Sequence, residues 1–324
     1  MEKRNTLKKL AAIPALGLAG GSLLSTSAFA QNYPSKNLTM IVPFGAGGGS
    51  DVMARTMNNV ITELKLLPMK VLVENQPGAQ GAKGYGNVAA RKGDDHTIAT
   101  VSVSFFTTPL RGGTSFTYKS FTPVAGIAIS PYIMVVSSKS KYKSVADFKN
   151  AGTVATGSTG AVSDPAILSN MLKKSLNITV RNVPFDGEGE VMTELLGGRI
   201  DFAFFNPGEV IGQIKSGAVR ALAVSTGKRL SNLKDIPTFK ELGFDVEHTM
   251  VRGVVMPDGV PAASVAYWEG LLRKVAESDN WRKQYIDRFN EEPAFLPAKE
   301  FGTVIAQTSA RYESLMTELG MIKK

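Results

Sequence analysis

Apolar residues along this chain come in short runs, separated by turn residues and by stretches of helical period. LTMIVPF, residues 38–44, is the first run, and its length and β-branched content predict a strand. From Asp51 to Leu64 the positions Val52, Met53, Thr56, Met57, Val60, Ile61 and Leu64 recur at helical spacing. KVLVEN (70–75) predicts a second strand, Asn87 to Arg91 continues helically after a glycine-rich loop, and HTIATVSVS (96–104) predicts a third strand. Short apolar strands alternating with helices predict an α/β fold with parallel strands and crossover helices.

The alternation repeats further on. YIMVVSS, GTVATGS, NITVRNVPF, RIDFAFFNP and VRALAVS read as strands, with helices over Ala166–Leu176 and Glu188–Leu196 and a short one capped by Ser144. GVVMP (253–257) is one more strand, and long helical patterns over Pro261–Glu277 and Ala298–Leu319 close the chain. This organisation predicts two α/β lobes. Residues 31–131 and 250–324 form the first, residues 132–249 the second, and the C-terminal helices return to the first.

The first thirty residues fall outside this pattern. MEKRNTLKK is basic, LAAIPALGLAGGSLL is apolar, and Ala28 and Ala30 give the small-x-small exit of an export signal. Cleavage after Ala30 predicts a periplasmic protein. The 324 residues include no cysteine, which removes disulfides, thiol nucleophiles, thiolate metal sites and a cysteine-linked lipid anchor. The formal charge is +9, of which the leader carries a net +3, leaving a mildly basic +6. No arginine-rich run or aromatic–basic alternation points to nucleic acid. Such a field favours small anions at long range, but it is screened within about 8 Å at physiological salt, so affinity must come from local contacts.

The glycine turns carry the candidate chemistry. Residues 41–55 read IVPFGAGGGSDVMAR. Glycines before a helix leave N–H groups free to meet an anion, and the helix start adds partial positive charge. A phosphate-binding loop requires lysine where this chain has Asp51. The dinucleotide fingerprint is imitated more closely, with Glu74 ending the next strand, but Ser50 stands in place of its third glycine. The better reading is a carboxylate cradle, with Asp51 itself serving as a plain helix cap. Asn75–Gly81 and Gly157–Asp164 repeat the glycine device, and Phe185–Glu188 and Asn206–Gly208 lie at two further strand ends. Ligands of open α/β sheets bind beyond the carboxyl ends of strands, so these loops predict one cleft between the lobes.

Four blocks carry a family resemblance: YPSKNLTMIVPFGAGGGSDVMAR, VLVENQPGAQGAKG, VPFDGEGEVMTELLGGRIDFAF and VRALAVSTGKRLSNLKDIPTFKELGF. In order and spacing the chain resembles the substrate-binding receptors of tripartite tricarboxylate transporters, the Bug family. The resemblance implies a type II periplasmic binding-protein fold, a two-lobed Venus flytrap. It implies a small carboxylate ligand (a di- or tricarboxylate, aromatic acid or amino acid) and delivery to membrane permease subunits. Carried over by position, the ligand residues would be Phe44, Ala46, Gly47, Gly48, Ser50 and Asp51, then Asn75, Gly78 and Gly81, then Ser104. The second lobe would add Ser158, Thr159, Ser163, Phe185 and Asp186. The second-lobe loop TGAVSDPAI departs from the family run S-G-x-G-S-x-x-H-L: Val162 replaces a glycine and Ala166 a histidine. Asp164 there either caps the helix at its first turn or meets a cationic ligand group.

Arg252 lies near the second crossover, where a guanidinium suits a carboxylate; the competing readings are an exposed arginine or an interlobe salt bridge. Phe105 and Phe106 either wall the cleft or pack in the core. Catalytic patterns are sparse. His96, in the turn GDDH, and His248 sit in no metal motif, and no G-x-S-x-G elbow occurs. Glu188 and Glu190 fit acids that complement the dipole of a helix start. The expectation is a monomeric, non-enzymatic receptor without cofactor or metal. An exported oxidoreductase using the GAGGGS turn for a dinucleotide is the alternative.

Overall fold

The structure is a computed structural model that describes residues 33–185 and 187–322. The export signal therefore lies outside the described residues, as does Asp186. Among the described residues no helix is long and apolar enough to cross a membrane.

The first strand, β1 (Leu38–Val42), is almost wholly buried, as its apolar run requires. Helix α1 (Gly49–Glu63) follows and buries Met53, Ala54, Met57, Val60 and Ile61, one stripe of its surface. Strand β2 (Val71–Asn75), helix α2 (Ala82–Ala89) and strand β3 (Thr97–Val101) complete the first repeat. The third strand is shorter than its pattern predicts, because helix α3 (Val103–Leu110) already begins within VSVS. Phe105 and Phe106 consequently point into the core, at 0% and 2% exposure.

Strands β4 (Phe121–Ser130) and β5 (Ile133–Ser137) come next, then β6 (Thr153–Ser158), helix α4 (Asp164–Leu176), β7 (Thr179–Pro184) and helix α5 (Glu188–Leu196). Strand β8 (Phe202–Phe205), helix α6 (Pro207–Lys215), β9 (Val219–Val224), β10 (Met250–Pro257) and helix α7 (Ala262–Ala276) follow. A helical segment over residues 279–289, strand β11 (Glu292–Pro297) and the C-terminal helix Ala298–Glu318 end the chain.

The strands form two sheets. One has six strands in the order β11-β4-β10-β3-β1-β2, the other five in the order β7-β6-β8-β5-β9. Neither is wholly parallel, which corrects the expectation from the βα alternation. β10 lies antiparallel between β3 and β4, and β5 lies antiparallel between β8 and β9. The cause is the crossing itself. β4 runs out of the first sheet directly into β5, and β10 brings the chain back, so the strand that enters each sheet at a crossing, β5 or β10, opposes its neighbours.

Helix α4 joins two cores. Leu168, Leu172 and Leu176 pack with Met134, Phe202 and Phe204 of the five-stranded sheet. Ile167 and the preceding Val162 instead pack with Phe105, Phe301 and Tyr312 on the six-stranded side. Val162 is thus a wedge between the two halves, which gives a packing reason for a branched side chain where the family run has glycine. Burying a side chain of this size stabilises by about 1.5–3 kcal/mol.

Candidate ligand-binding site

A cleft of 580 Å³ opens between the halves. The six-stranded half contributes Gly47, Gly48, Gly49 and Val52, and the five-stranded half contributes Glu188, Met192, Phe205, Asn206 and Glu209. Arg252 of β10 lines it together with Tyr285, Phe289 and Glu291 from the C-terminal return. The volume lies within the range of small-molecule sites.

The glycine turn is built for access. Only Gly47 of its four glycines takes a positive φ, +84°. Gly49 is required for a different reason: a Cβ there would stand 3.0 Å from Arg252 Nη2, so the guanidinium rests against the first turn of α1. The helix cap is Gly48, and no side chain caps the helix. Its first N–H groups are therefore open toward the cleft, next to the arginine.

Asp51 sits in the first turn of α1, and its carboxylate faces back into the loop. It accepts from Gly47 N–H at 2.9 Å, from Arg55 Nε at 3.0 Å and from Asn75 Nδ2 at 2.9 Å. Burial opposes its ionisation, but these donors outweigh burial and hold its pKa below the usual carboxylate value. Asn75 also donates to the Phe44 carbonyl, so Phe44, Asn75 and Asp51 act together to fix the shape of the turn.

Arg252 is 3% exposed and its neighbour Glu291 is 4% exposed. Nε lies 3.6 Å from Glu291 Oε1, and Nε also donates to Ser130 Oγ, which in turn donates to Glu291 Oε2. Burial works against the arginine's charge, but Tyr285, Glu291, Tyr132 and Glu209 raise its pKa further above its ordinary value. Among the described residues no hydrogen bond uses its Nη nitrogens, which are the ones beside Gly49. Arg252 is thus neither an exposed arginine nor a bridge tied to the second lobe. It is a buried cation, anchored from behind, with a free fork at the cleft.

Two acids enter from the other half. Glu188 begins α5 and accepts from Thr159 Oγ1 at 3.0 Å. Glu209 stands in the first turn of α6, where its carboxylate accepts Asn206 N–H at 3.1 Å. Desolvation by its surroundings, with the Glu188 charge added, pushes Glu209 up to about 8, against the opposing Asn206 N–H and Arg252. Read from sequence, Glu188 is only an acid complementing a helix dipole, and Glu209 does not stand out. The signal present is the capping box Asn206–Pro207–Gly208–Glu209, which predicts a helix starting at the strand end and so an acid above the sheet.

The sequence-derived ligand residues divide. Gly47, Gly48 and Arg252 line the cleft. Ala46 is exposed and Ser50 buried in the same turn, yet neither borders it. Ser104 is half-buried on α3, and Phe185 packs over Gly157, where a Cβ would stand 2.9 Å from the ring. Gly78 and Gly81, with Ala79 and Gln80 between them, form four consecutive positions of positive φ. That loop carries the Gln80 amide to Gly160, so the Asn75–Gly81 and Ser158–Ser163 loops meet. There Ser158 and Ser163 both donate to the Gly160 carbonyl. Asp94, Asp95 and His96 cluster, but none borders the cleft.

Asp164 neither caps a helix through its side chain nor faces the cleft. It is wholly buried, accepting from Tyr132 OH at 2.7 Å and Tyr312 OH at 2.6 Å, with His248 Nε2 on Oδ1. Its partners are therefore groups of this chain, and the network joins α4 to the C-terminal helix.

Residues 53–321 match the family described as tripartite tricarboxylate transporter family receptor. The chain belongs to this family. The receptor is 31% identical to the Bordetella pertussis protein BugT over 227 residues, 66% of this chain and 68% of the relative. It is 35% identical to an Agrobacterium vitis protein from the ttuE-ttuC' intergenic region over 242 residues, 72% of this chain and 69% of that one. The periplasmic binding protein BugD superposes with a TM-score of 0.78 at 25% identity, covering 90% of the receptor and all (100%) of BugD. The receptor therefore has the two-lobed α/β fold of periplasmic binding proteins. An R. palustris protein solved with adipate shares that fold at a TM-score of 0.80 and 22% identity, covering 89% and 98% of the two chains.

Proposed function

We propose that this receptor is exported to the periplasm, binds a small carboxylate between its lobes as a monomer, and hands it unchanged to permease subunits. The chain would cross between lobes at residues 131–132 and 249–250. The observation that carries the reading is the free fork of Arg252 beside the uncapped start of α1. A carboxylate seated there meets two guanidinium N–H groups and the Gly49 N–H at the helix start, all charge-assisted or dipole-assisted donors. Micromolar binding needs about 8 kcal/mol, more than one helix end supplies, so convergence of the two is the point. Closure of the second lobe removes water from these bonds and strengthens them. The adipate of the R. palustris protein fits the same chemistry.

A thermal-shift screen of mono-, di- and tricarboxylates, aromatic acids, amino acids and NAD tests the reading. A ligand at about 100 times its Kd adds about 2.7 kcal/mol of stability. Stabilisation by NAD alone would overturn it in favour of a dinucleotide site.

A further inference from the structure

We infer that the receptor's ligand carries a protonated amine as well as a carboxylate, the ammonium group being held by Glu188 and Glu209. The inference rests on the carboxylate reading above and narrows it to aminocarboxylates.

The cleft lining holds three carboxylates, Glu188, Glu209 and Glu291, against the single guanidinium of Arg252. Glu291 and Arg252 already pair. Among the described residues neither Glu188 nor Glu209 makes an ion pair, and their protein hydrogen bonds come from Thr159 and from Asn206 N–H. A ligand with only negative charge would bring a further anion beside these acids and oppose their ionisation, which costs affinity. A zwitterion reverses that sign at one end while keeping its carboxylate for Arg252 and α1.

A second observation is independent of the acids. Tyr285 is 1% exposed and lines the same cavity, yet among the described residues its hydroxyl has no hydrogen-bond partner. A buried hydroxyl without a partner is costly, and a ligand polar group restores the bond. Tyr285 and Phe289 stand with ring centroids 5.6 Å apart on this wall. Trp281 stacks on Tyr285 at 4.3 Å and the Arg288 guanidinium lies over Phe289 at 5.4 Å, so the rings already have partners and the hydroxyl is the group left for a ligand. The elevated Glu209 pKa agrees: desolvation, with the Glu188 charge added, disfavours its ionised form, and a ligand cation beside it would offset both.

Calorimetry with matched compounds tests the inference. The panel is the proteinogenic and ω-amino acids, each beside the carboxylate of the same skeleton lacking nitrogen. At least one amino compound is expected to bind about tenfold or more tighter than its partner. Glu209→Gln should shrink that ratio about tenfold, and because both compounds are compared on one variant, partial misfolding cancels. If nitrogen-free carboxylates bind as well as or better than their amino partners throughout, or if the ratio survives Glu209→Gln, the inference is overturned and the carboxylate receptor stands. If neither series binds, both readings fall.

Discussion

Arg252 Nε and Glu291 Oε1 lie 3.6 Å apart, buried on the floor of the cleft and bridged by Ser130. The pair is asymmetric in use: Glu291 is committed to it, whereas the arginine keeps its fork for the cleft. Removing one partner strands the other charge away from water. Arg252→Ala is therefore expected to destabilise by about 3 kcal/mol or more in urea unfolding and to abolish carboxylate binding. Replacing both residues with methionine should recover most of the stability and none of the binding. Full binding by the double variant would remove Arg252 from the site.

The glycines of the first sheet and turn make a graded series. At Gly253 a Cβ would meet Phe301 Cζ at 2.3 Å and the Ala125 carbonyl at 2.5 Å, so Gly253→Ala should cost about 1–3 kcal/mol. At Gly45 nothing lies within 4 Å, and Gly45→Ala should change stability by less than about 0.5 kcal/mol. Gly49→Ala, which presses on Arg252, is expected to weaken ligand binding more than it lowers the melting temperature. Unfolding curves and calorimetry on the three variants separate the effects.

Asp164 sets an acid limit on stability. Burial raises its pKa, but the His248 charge and hydrogen bond, with those of Tyr312 and Tyr132, outweigh burial and leave it lowered. A folded pKa below the unfolded value of about 3.9 contributes stability above that pH, lost as pH falls through the folded value. Asp164→Asn should cost about 3 kcal/mol at neutral pH and flatten the loss of stability below about pH 4. An unchanged acid profile in denaturant titrations would show that other carboxylates govern it.

Glu209 has the opposite sign. Its folded pKa, pushed up to about 8, exceeds the unfolded value. The stability it contributes is full below about pH 4.3 and is lost as pH rises through about 8. The groups facing it are Glu188 on α5, Arg252 on β10, Glu291 before β11 and Tyr285 on the 279–289 segment. The ligand-free receptor should lose melting temperature from pH 6 to pH 9, and Glu209→Gln should lose less. The binding advantage of an amino compound should grow across the same interval, because the acid that holds the ammonium ionises there.

Val162 tests the wedge. Val162→Gly is expected to cost about 2–3 kcal/mol, since it removes a buried side chain and loosens the backbone. A hydrogen-exchange experiment should show the loss concentrated where α4 meets the C-terminal helix. Exchange confined to the 158–163 loop would mean that Val162 does not tie the halves together.

Much of the fold is legible in the sequence because its cause is local. The strands β1, β2, β5 and β6 are apolar runs bounded by glycine or polar turns, and α1 and α5 are amphipathic stripes with readable starts. Elements stabilised by distant partners give no such signal. β4 contains Pro123 and Gly126, which read as breakers, yet both pair with β10 beside register shifts. β11 is Glu-Pro-Ala-Phe-Leu-Pro, tolerable only as the edge strand it is. α3 contains Val103, Phe105 and Phe106, whose period over so few residues fits a strand as well as a helix.

The same boundary runs through the site. The sequence alone determined a two-lobed α/β chain with glycine turns at strand ends, and marked the first turn as the candidate helix start for an anion, because helix dipoles and glycine turns act over a few residues. Only the tertiary structure decided that Arg252 is buried against that turn, that Asp164 belongs to a tyrosine–histidine network, and that Glu188 and Glu209 face the cleft unpaired. Charge pairing inside a protein depends on which groups lose water together. That is settled by which strand ends the crossings bring face to face.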